Sequence, residues 1–279
     1  MASLNLPLVY LFGRRTLSPR GALSAAVIFG VMPASIAYGT YSQDTLYALF
    51  FGLYLLLSWE LGRRKHAPVI AVTAGAVLYL LSMITFSWSI AAGAAFLFVL
   101  SSRLSRGISL PGSALHLALP PLVLLFLHGI TWAVFRFSYY SSYRESYAFH
   151  SRYYPFADGG EWLVALVGGQ LELLWAMGPF VASAALVALG RRFLSERREP
   201  FSLLLWSVLL CYGTAVIFGP NPLKLETARC WFWVLPLPVM AAADYLDRTC
   251  PGDDRPILLA TGTTAAVALL SLSFLNFGA

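Results

Sequence analysis

Apolar runs broken by short polar or charged clusters recur along the whole chain, at about 22–40, 44–61, 67–85, 87–102, 113–136, 161–189, 200–219, 229–246 and 256–277. A hydrocarbon core about 30 Å thick needs about 20 apolar residues per helical crossing. Several of these windows reach that length without a charge. The pattern predicts an all-α fold: a polytopic transmembrane helical bundle of about eight or nine crossings, forming one domain over 1–279. Within it, 22–102 supplies the first helices. The 113–189 stretch supplies helices flanking an outer loop at 137–160, and 200–277 supplies the last helices. Only Thr85-Phe86-Ser87-Trp88-Ser89 divides the stretch 67–102, which predicts a tight helical hairpin there. Pro120-Pro121 lies inside a long apolar run and predicts a kink rather than an end.

Composition agrees with the pattern. The chain is 58% hydrophobic and 11% charged, with mean hydropathy +0.70. A soluble domain carries roughly 25% charged residues. The formal charge of +6 would suit nucleic acid if the basic residues gathered on one face. Instead they alternate between loops. One set of loops holds Arg14, Arg15, Arg20, Arg63, Arg64, Lys65, Arg103, Arg106, Arg191, Arg192, Arg197, Arg198, Arg248 and Arg255. The opposite set holds only Arg136, Arg144, Arg152, Lys224 and Arg229. Lys and Arg concentrate in the short cytoplasmic loops of membrane proteins, so the first set is expected inside. The outer loops are then 41–43, 137–160 and 219–228. The bilayer is the expected partner, and nucleic acid is not. Cys211, Cys230 and Cys250 are too few and too scattered for a disulfide framework or a zinc site. Residues 4–12 are apolar, about half a crossing long, and are followed by Arg14 and Arg15. A signal peptide carries its charges first, so 1–15 is expected to be the cytoplasmic end of a helix whose upstream half is missing.

Ionisable groups in or at a bilayer are costly and are candidates for function. Asp44 opens a crossing, where its carboxylate either caps free N–H groups or faces an outer site. Glu226 and Arg229 stand three apart at a helix start, so they share a face and can pair. Arg229 then either braces that start or binds a lipid-linked phosphate, with Glu226 holding its fork. Trp231 and Trp233 suit the headgroup level. The 137–160 loop sets many tyrosines around Arg144, Glu145, His150, Arg152 and Asp158, which suits a sugar or headgroup and equally an interfacial loop. His116 and His128 fall in the long run at 113–136. Glu172 reads as the one acid well inside an apolar run, hydrogen-bonded or protonated. The basic 191–198 segment reads as an anchor on anionic lipid. No Walker loop, paired-cysteine motif or nucleophile elbow is present.

Three stretches together resemble the type C, polyprenyl-phosphate-sugar-dependent membrane glycosyltransferases, especially bacterial members. One is Tyr10-Leu11-Phe12-Gly13-Arg14-Arg15 with the helix ending in Met32-Pro33 and the segment from Tyr38 to Asp44. Another runs from Gly168-Gly169-Gln170-Leu171-Glu172 to Gly178-Pro179. The third is Glu226-Thr227-Ala228-Arg229-Cys230-Trp231-Phe232, similar to the family's Glu-x-x-Arg-x-Trp element. The resemblance implies a multi-pass protein of the bacterial inner membrane. It would transfer a sugar from a polyprenyl-phosphate donor to an acceptor on the outer face by inverting displacement. A base deprotonates the acceptor hydroxyl while a cation, or a divalent metal, holds the leaving phosphate. By that likeness Asp44, at the family's second outer acidic position, Glu226 and Arg229 bind substrate, and Arg144, His150 and Arg152 of the Tyr-rich loop are expected to join them. The base would fall in a loop upstream of Met1, and this chain by itself is expected to give no turnover. The competing readings are a non-catalytic lipid-binding or assembly subunit and a transporter. A transporter favours internal repeats, and none is evident.

Overall fold

The computed structural model of the chain describes residues 2–39, 44–85, 87–153, 158–218 and 231–277. Among these the regular structure is entirely helical. The elements are α1 Ala2–Thr16, α2 Pro19–Val31, α3 Pro33–Gly39, α4 Asp44–Arg63, α5 Pro68–Ile84, α6 Trp88–Leu104 and α7 Leu110–Phe135. They continue with α8 Tyr139–Tyr153, α9 Gly159–Met177, α10 Pro179–Ser195 and α11 Pro200–Phe218. A 3-10 turn at Phe232–Val234 leads into α12 Pro236–Thr249, and α13 Arg255–Phe277 is last. Proline sets many of these starts: α2, α3, α5, α10, α11 and α12 each open on one. The first N–H groups of a helix have no intrahelical acceptor, so proline loses nothing there and its fixed φ suits the turn. Ser18 and Ser109 add side-chain caps, accepting from Gly21 N at 2.9 Å and Gly112 N at 3.4 Å.

Leu110–Phe135 and Pro200–Ile217 are long and apolar enough to cross a membrane. Gly159–Met177 and Pro179–Ser195 qualify together as one span bent by 108°, so two to three helices meet the criterion among the described residues. α2, α5, α6 and the apolar part of α13 are shorter. Only 11% of the apolar window of α7 is buried within the protein. A helix apolar on nearly every side and so little covered is compatible with lipid and costly in water.

The chain falls into two compact units. The first comprises 1–52, 167–197 and 224–279, and the second 53–166 and 198–223. In the first unit α12 packs on α2 and α10. The contact faces are built of small residues, including Ala22, Ala25, Ala185, Ala188, Ala241 and Ala242, all buried. Small side chains let helices approach closely without needing water to drive them together. The amino end of α12 is aromatic: Phe232 lies 5.5 Å from Phe29, and Trp233 lies 4.2 Å from Phe51, ring centre to ring centre.

The other end of the same helices is ionic. The Arg192 guanidinium donates to Asp244 Oδ2 and lies 3.4 Å from Glu196. Arg248 reaches the same Asp244 oxygen at 2.9 Å and Glu196 at 3.3 Å. Nearby, Arg20 bridges Asp247 at 3.1 Å and Asp254 at 2.8 Å and donates to the Asp253 carbonyl. Ser18 donates to Asp247 at 2.5 Å. The α1–α2, α10–α11 and α12–α13 connections therefore meet at one end.

In the second unit α5 packs on α7 and α6 on α11. At Gly75 a Cβ would stand 2.7 Å from the Pro120 carbonyl and 2.6 Å from Val123 Cβ, so glycine permits the α5–α7 approach. Arg103 is fully buried at the end of α6. It donates to Ser113 Oγ at 3.1 Å and to the carbonyls of Leu61, Arg64, Lys65 and Gly112 at 2.8 to 3.5 Å. Arg106 donates to the Arg63 carbonyl at 2.9 Å. The two basic loops of this unit are thus stitched together at one end as well.

Several expectations need correction. The straight run at 161–189 is two helices turned by 108° at Gly178, whose φ of +86° favours glycine. The outer loop at 137–160 is helical over Tyr139–Tyr153. The first run breaks at Met32-Pro33, since proline cannot continue the bonding of α2. Trp233 packs inside the protein at 3% exposure instead of anchoring at a headgroup level. Asp244, not Glu172, is the deeply buried acid, because Arg192 is beside it. Arg192 is correspondingly withdrawn from the basic surface, which keeps Arg191, Arg197 and Arg198 exposed.

Two outcomes follow for stability. Replacing Gly178 with Ala forces a side chain into a left-handed backbone and places a Cβ 2.8 Å from Thr264 Oγ1. It should cost about 1–3 kcal/mol. Gly168→Ala, with open space around it, should be neutral, and thermal unfolding in detergent compares the two. Equal melting of Gly178→Ala and the natural chain would refute the bend. Arg192→Leu or Asp244→Leu alone removes one member of the buried pair and leaves the other to its second partner, Arg248 for Asp244 and Glu196 for Arg192, and should cost about 1–3 kcal/mol. The double variant should lose clearly less than the sum, and strictly additive losses would show the pair to be uncoupled.

Candidate functional site

The second unit encloses a cavity of about 500 Å³, within the roughly 300–1,000 Å³ range of small-molecule sites. α4 contributes Tyr54 and Ser58, α5 Leu78, α6 Trp88, Gly93 and Phe96, and α7 His116, Pro120 and Leu124. Nearly all of this wall is hydrocarbon or ring. Ser58 is already committed, donating to the Tyr54 carbonyl at 2.8 Å. Phe96 and Leu125 also line the cavity while being 48% and 65% exposed, so the cavity opens between α6 and α7.

His116 is the exception in this wall. It is 3% exposed, and neither ring nitrogen meets a hydrogen-bond partner among the described residues. Leaving a buried polar group unmatched costs about 1–3 kcal/mol, so the position is not explained by packing. Ser113, one turn earlier on α7, accepts from the fully buried Arg103 guanidinium. This end of the cavity therefore lies near a buried cation although its walls are apolar.

The opposite end is aromatic. Trp88 lines the cavity and donates its indole N–H to the Tyr139 hydroxyl. Tyr139 stands 5.0 Å from the His128 ring, which in turn is 5.1 Å from Tyr79. Ser82 Oγ meets His128 Nε2 at 2.9 Å, and Tyr79 meets Thr131 at 2.5 Å. Burial pushes the Tyr139 phenol above its ordinary pKa and Tyr143 adds to this, while the Trp88 bond acts the other way. This cluster ties the start of α8 to α5, α6 and α7, and Ser138 caps that start, its Oγ accepting from Ser141 N at 3.3 Å.

Of the residues expected to bind substrate, Arg144 is exposed on α8. Asp44 opens α4, and His150 and Arg152 lie on α8, but their side chains fall outside the described ones. Glu226 and Arg229 lie outside the described residues altogether. Among the described residues no three His, Cys, Asp or Glu side chains gather as a metal site. Sequence reasoning named His116 without giving it a role. One signal was available: it stands four residues before Pro120, which cannot supply the N–H that the His116 carbonyl would take. The cavity itself has no sequence signature.

The unmatched imidazole sets an expected outcome. His116→Leu keeps the volume similar and removes the uncompensated ring nitrogens, so it should raise stability by about 1–3 kcal/mol. Thermal unfolding of the detergent-solubilised protein, stripped of copurifying lipid, measures this. An unchanged or lower melting temperature would mean that the ring is already satisfied. Compared with known proteins, the chain matches no family model, no curated protein and no solved structure.

Proposed function

We propose that this chain is a multi-pass protein of the bacterial inner membrane, built as a bundle of about eight or nine crossings resembling the type C glycosyltransferases. It engages a polyprenyl-phosphate sugar at its outer face. The observation that supports the reading is the polarity of each unit. In the first, the ion pairs of Arg20, Arg192 and Arg248 gather at one end of α2, α10 and α12. In the second, Arg103 and Arg106 lie at one end and the Trp88–Tyr139 cluster at the other. Membrane proteins carry cations inside and aromatic rings at the interfaces. α4 runs from Asp44 to Arg63 and so has its acidic terminus away from a basic one.

On this reading Arg229, braced by Glu226, holds the donor phosphate, and Asp44, Arg144, His150 and Arg152 are further substrate-binding residues. In the family that the chain resembles, a base takes the proton of the acceptor hydroxyl, whose oxygen attacks the anomeric carbon with inversion; no residue of this chain is assigned as that base, and donor binding is what is proposed for it. The glycosidic C–O bond breaks as the polyprenyl phosphate leaves. Charge on that phosphate grows as the bond breaks, so a fixed guanidinium stabilises the transition state more than the ground state.

Binding of a radiolabelled polyprenyl phosphate to the protein in lipid nanodiscs tests the assignment. Arg229→Ala should weaken binding roughly tenfold or more, the loss expected of a charge-assisted phosphate contact. Arg191→Ala, on the opposite side, should not. Equal loss in both variants, or none in either, would remove Arg229 from the site.

A further inference from the structure

We propose that the cavity of the second unit binds a long-chain carboxylic acid, its carboxylate on the His116 imidazole and its hydrocarbon chain running toward Trp88. The polar end is defined by two observations. His116 is 97% covered, lines the cavity and has both ring nitrogens unmatched among the described residues. Near it, Arg103 is fully buried and its partners among the described residues are backbone carbonyls and the Ser113 hydroxyl, with no carboxylate. Those acceptors satisfy the donors of the guanidinium without cancelling its charge. Burying a cation with no anion nearby is expensive, and a ligand carboxylate accepting from His116 would lie within reach of that charge.

The apolar end fits a chain. Trp88 and Val99 both line the cavity, so it extends about 16 Å along α6 at ~1.5 Å per residue. Its wall carries no acid that would repel an anion on entry. The opening between Phe96 and Leu125 gives a route from the hydrocarbon of a bilayer, where such an acid would already be dissolved. None of these residues belongs to the proposed outer-face sugar site, so the two proposals stand or fall separately.

Trp88 makes the proposal measurable, because bromine quenches indole fluorescence only at close range. The purified protein in detergent is titrated with 9,10-dibromostearic acid and, separately, with the corresponding dibrominated alcohol. The expected result is a saturable quench with the acid that Trp88→Phe removes. The alcohol should bind roughly tenfold to a hundredfold more weakly, the loss expected when a charged acceptor becomes neutral. His116→Leu should weaken the acid by a similar factor and leave the alcohol unchanged. Three results would overturn the proposal: quenching that does not saturate or survives in Trp88→Phe, equal affinity for acid and alcohol, or full acid affinity in His116→Leu. The acid-to-alcohol comparison uses the natural chain, so it decides the matter even if a variant fails to fold.

Discussion

Charge buried in an apolar chain has to be matched on the spot, and the way this chain does so organises both of its units. In the first unit, Arg192 and Asp244 leave water together, at 4% and 7% side-chain exposure. Each is held by a second partner, Glu196 and Arg248 respectively. The pair fixes the rotation of α10 against α12, since turning either helix would separate the charges. The alanine faces above it would tolerate several rotations on packing alone. In the second unit the same constraint takes another form: among the described residues Arg103 meets no carboxylate and uses carbonyls at the end of α4, in the connection beyond it and in the first turn of α7 instead. The α4 carbonyls lie in its last turn, where intrahelical donors run out, so one guanidinium satisfies groups there while holding α7 beside them.

This explains why the alternation of cations along the sequence was informative and why it was incomplete. Loop by loop, the basic residues sort to one end of each unit, as Arg20, Arg192 and Arg248 or Arg103 and Arg106 show. Sorting by loop gives no depth, however. Arg191 and Arg192 are neighbours in sequence, yet one is exposed and the other sealed against Asp244. The i, i+4 spacing of Asp244 and Arg248 was legible as a local pair. The tertiary partner on α10 was not, because nothing local in either helix names it.

Helix starts were the most readable feature, since proline and serine act through backbone chemistry that does not depend on tertiary context. Pro33, Pro68, Pro179 and Pro236 all mark them. The bend at Gly178 was legible in part. Gly178-Pro179 marks a turn inside the apolar run, but its 108° angle comes from a positive φ packed against Thr264 on α13, which nothing local in the sequence states. The Tyr-rich segment misled for a different reason. Its polar sequence predicts a loop, but Ser138 caps a helix there, its Oγ accepting from Ser141 N, and the Tyr139 hydroxyl is bound by Trp88. The proposed outer-face residues owe their grouping to sequence likeness and to loop alternation.

The cavity sets two of these forces against each other. A core that sought only stability would fill the space among α4, α5, α6 and α7 and would place a hydrocarbon at position 116. Instead the position carries an imidazole one turn beyond Ser113, next to a cation that brings no anion of its own. Arg103 is needed there to join the loops, so its charge is a structural necessity. The His116 ring nitrogens meet no hydrogen-bond partner among the described residues. An unmatched imidazole buried on a cavity wall is what supports the proposed occupant. The adjacent charge specifies the sign of that occupant, and the walls specify the rest of it as hydrocarbon.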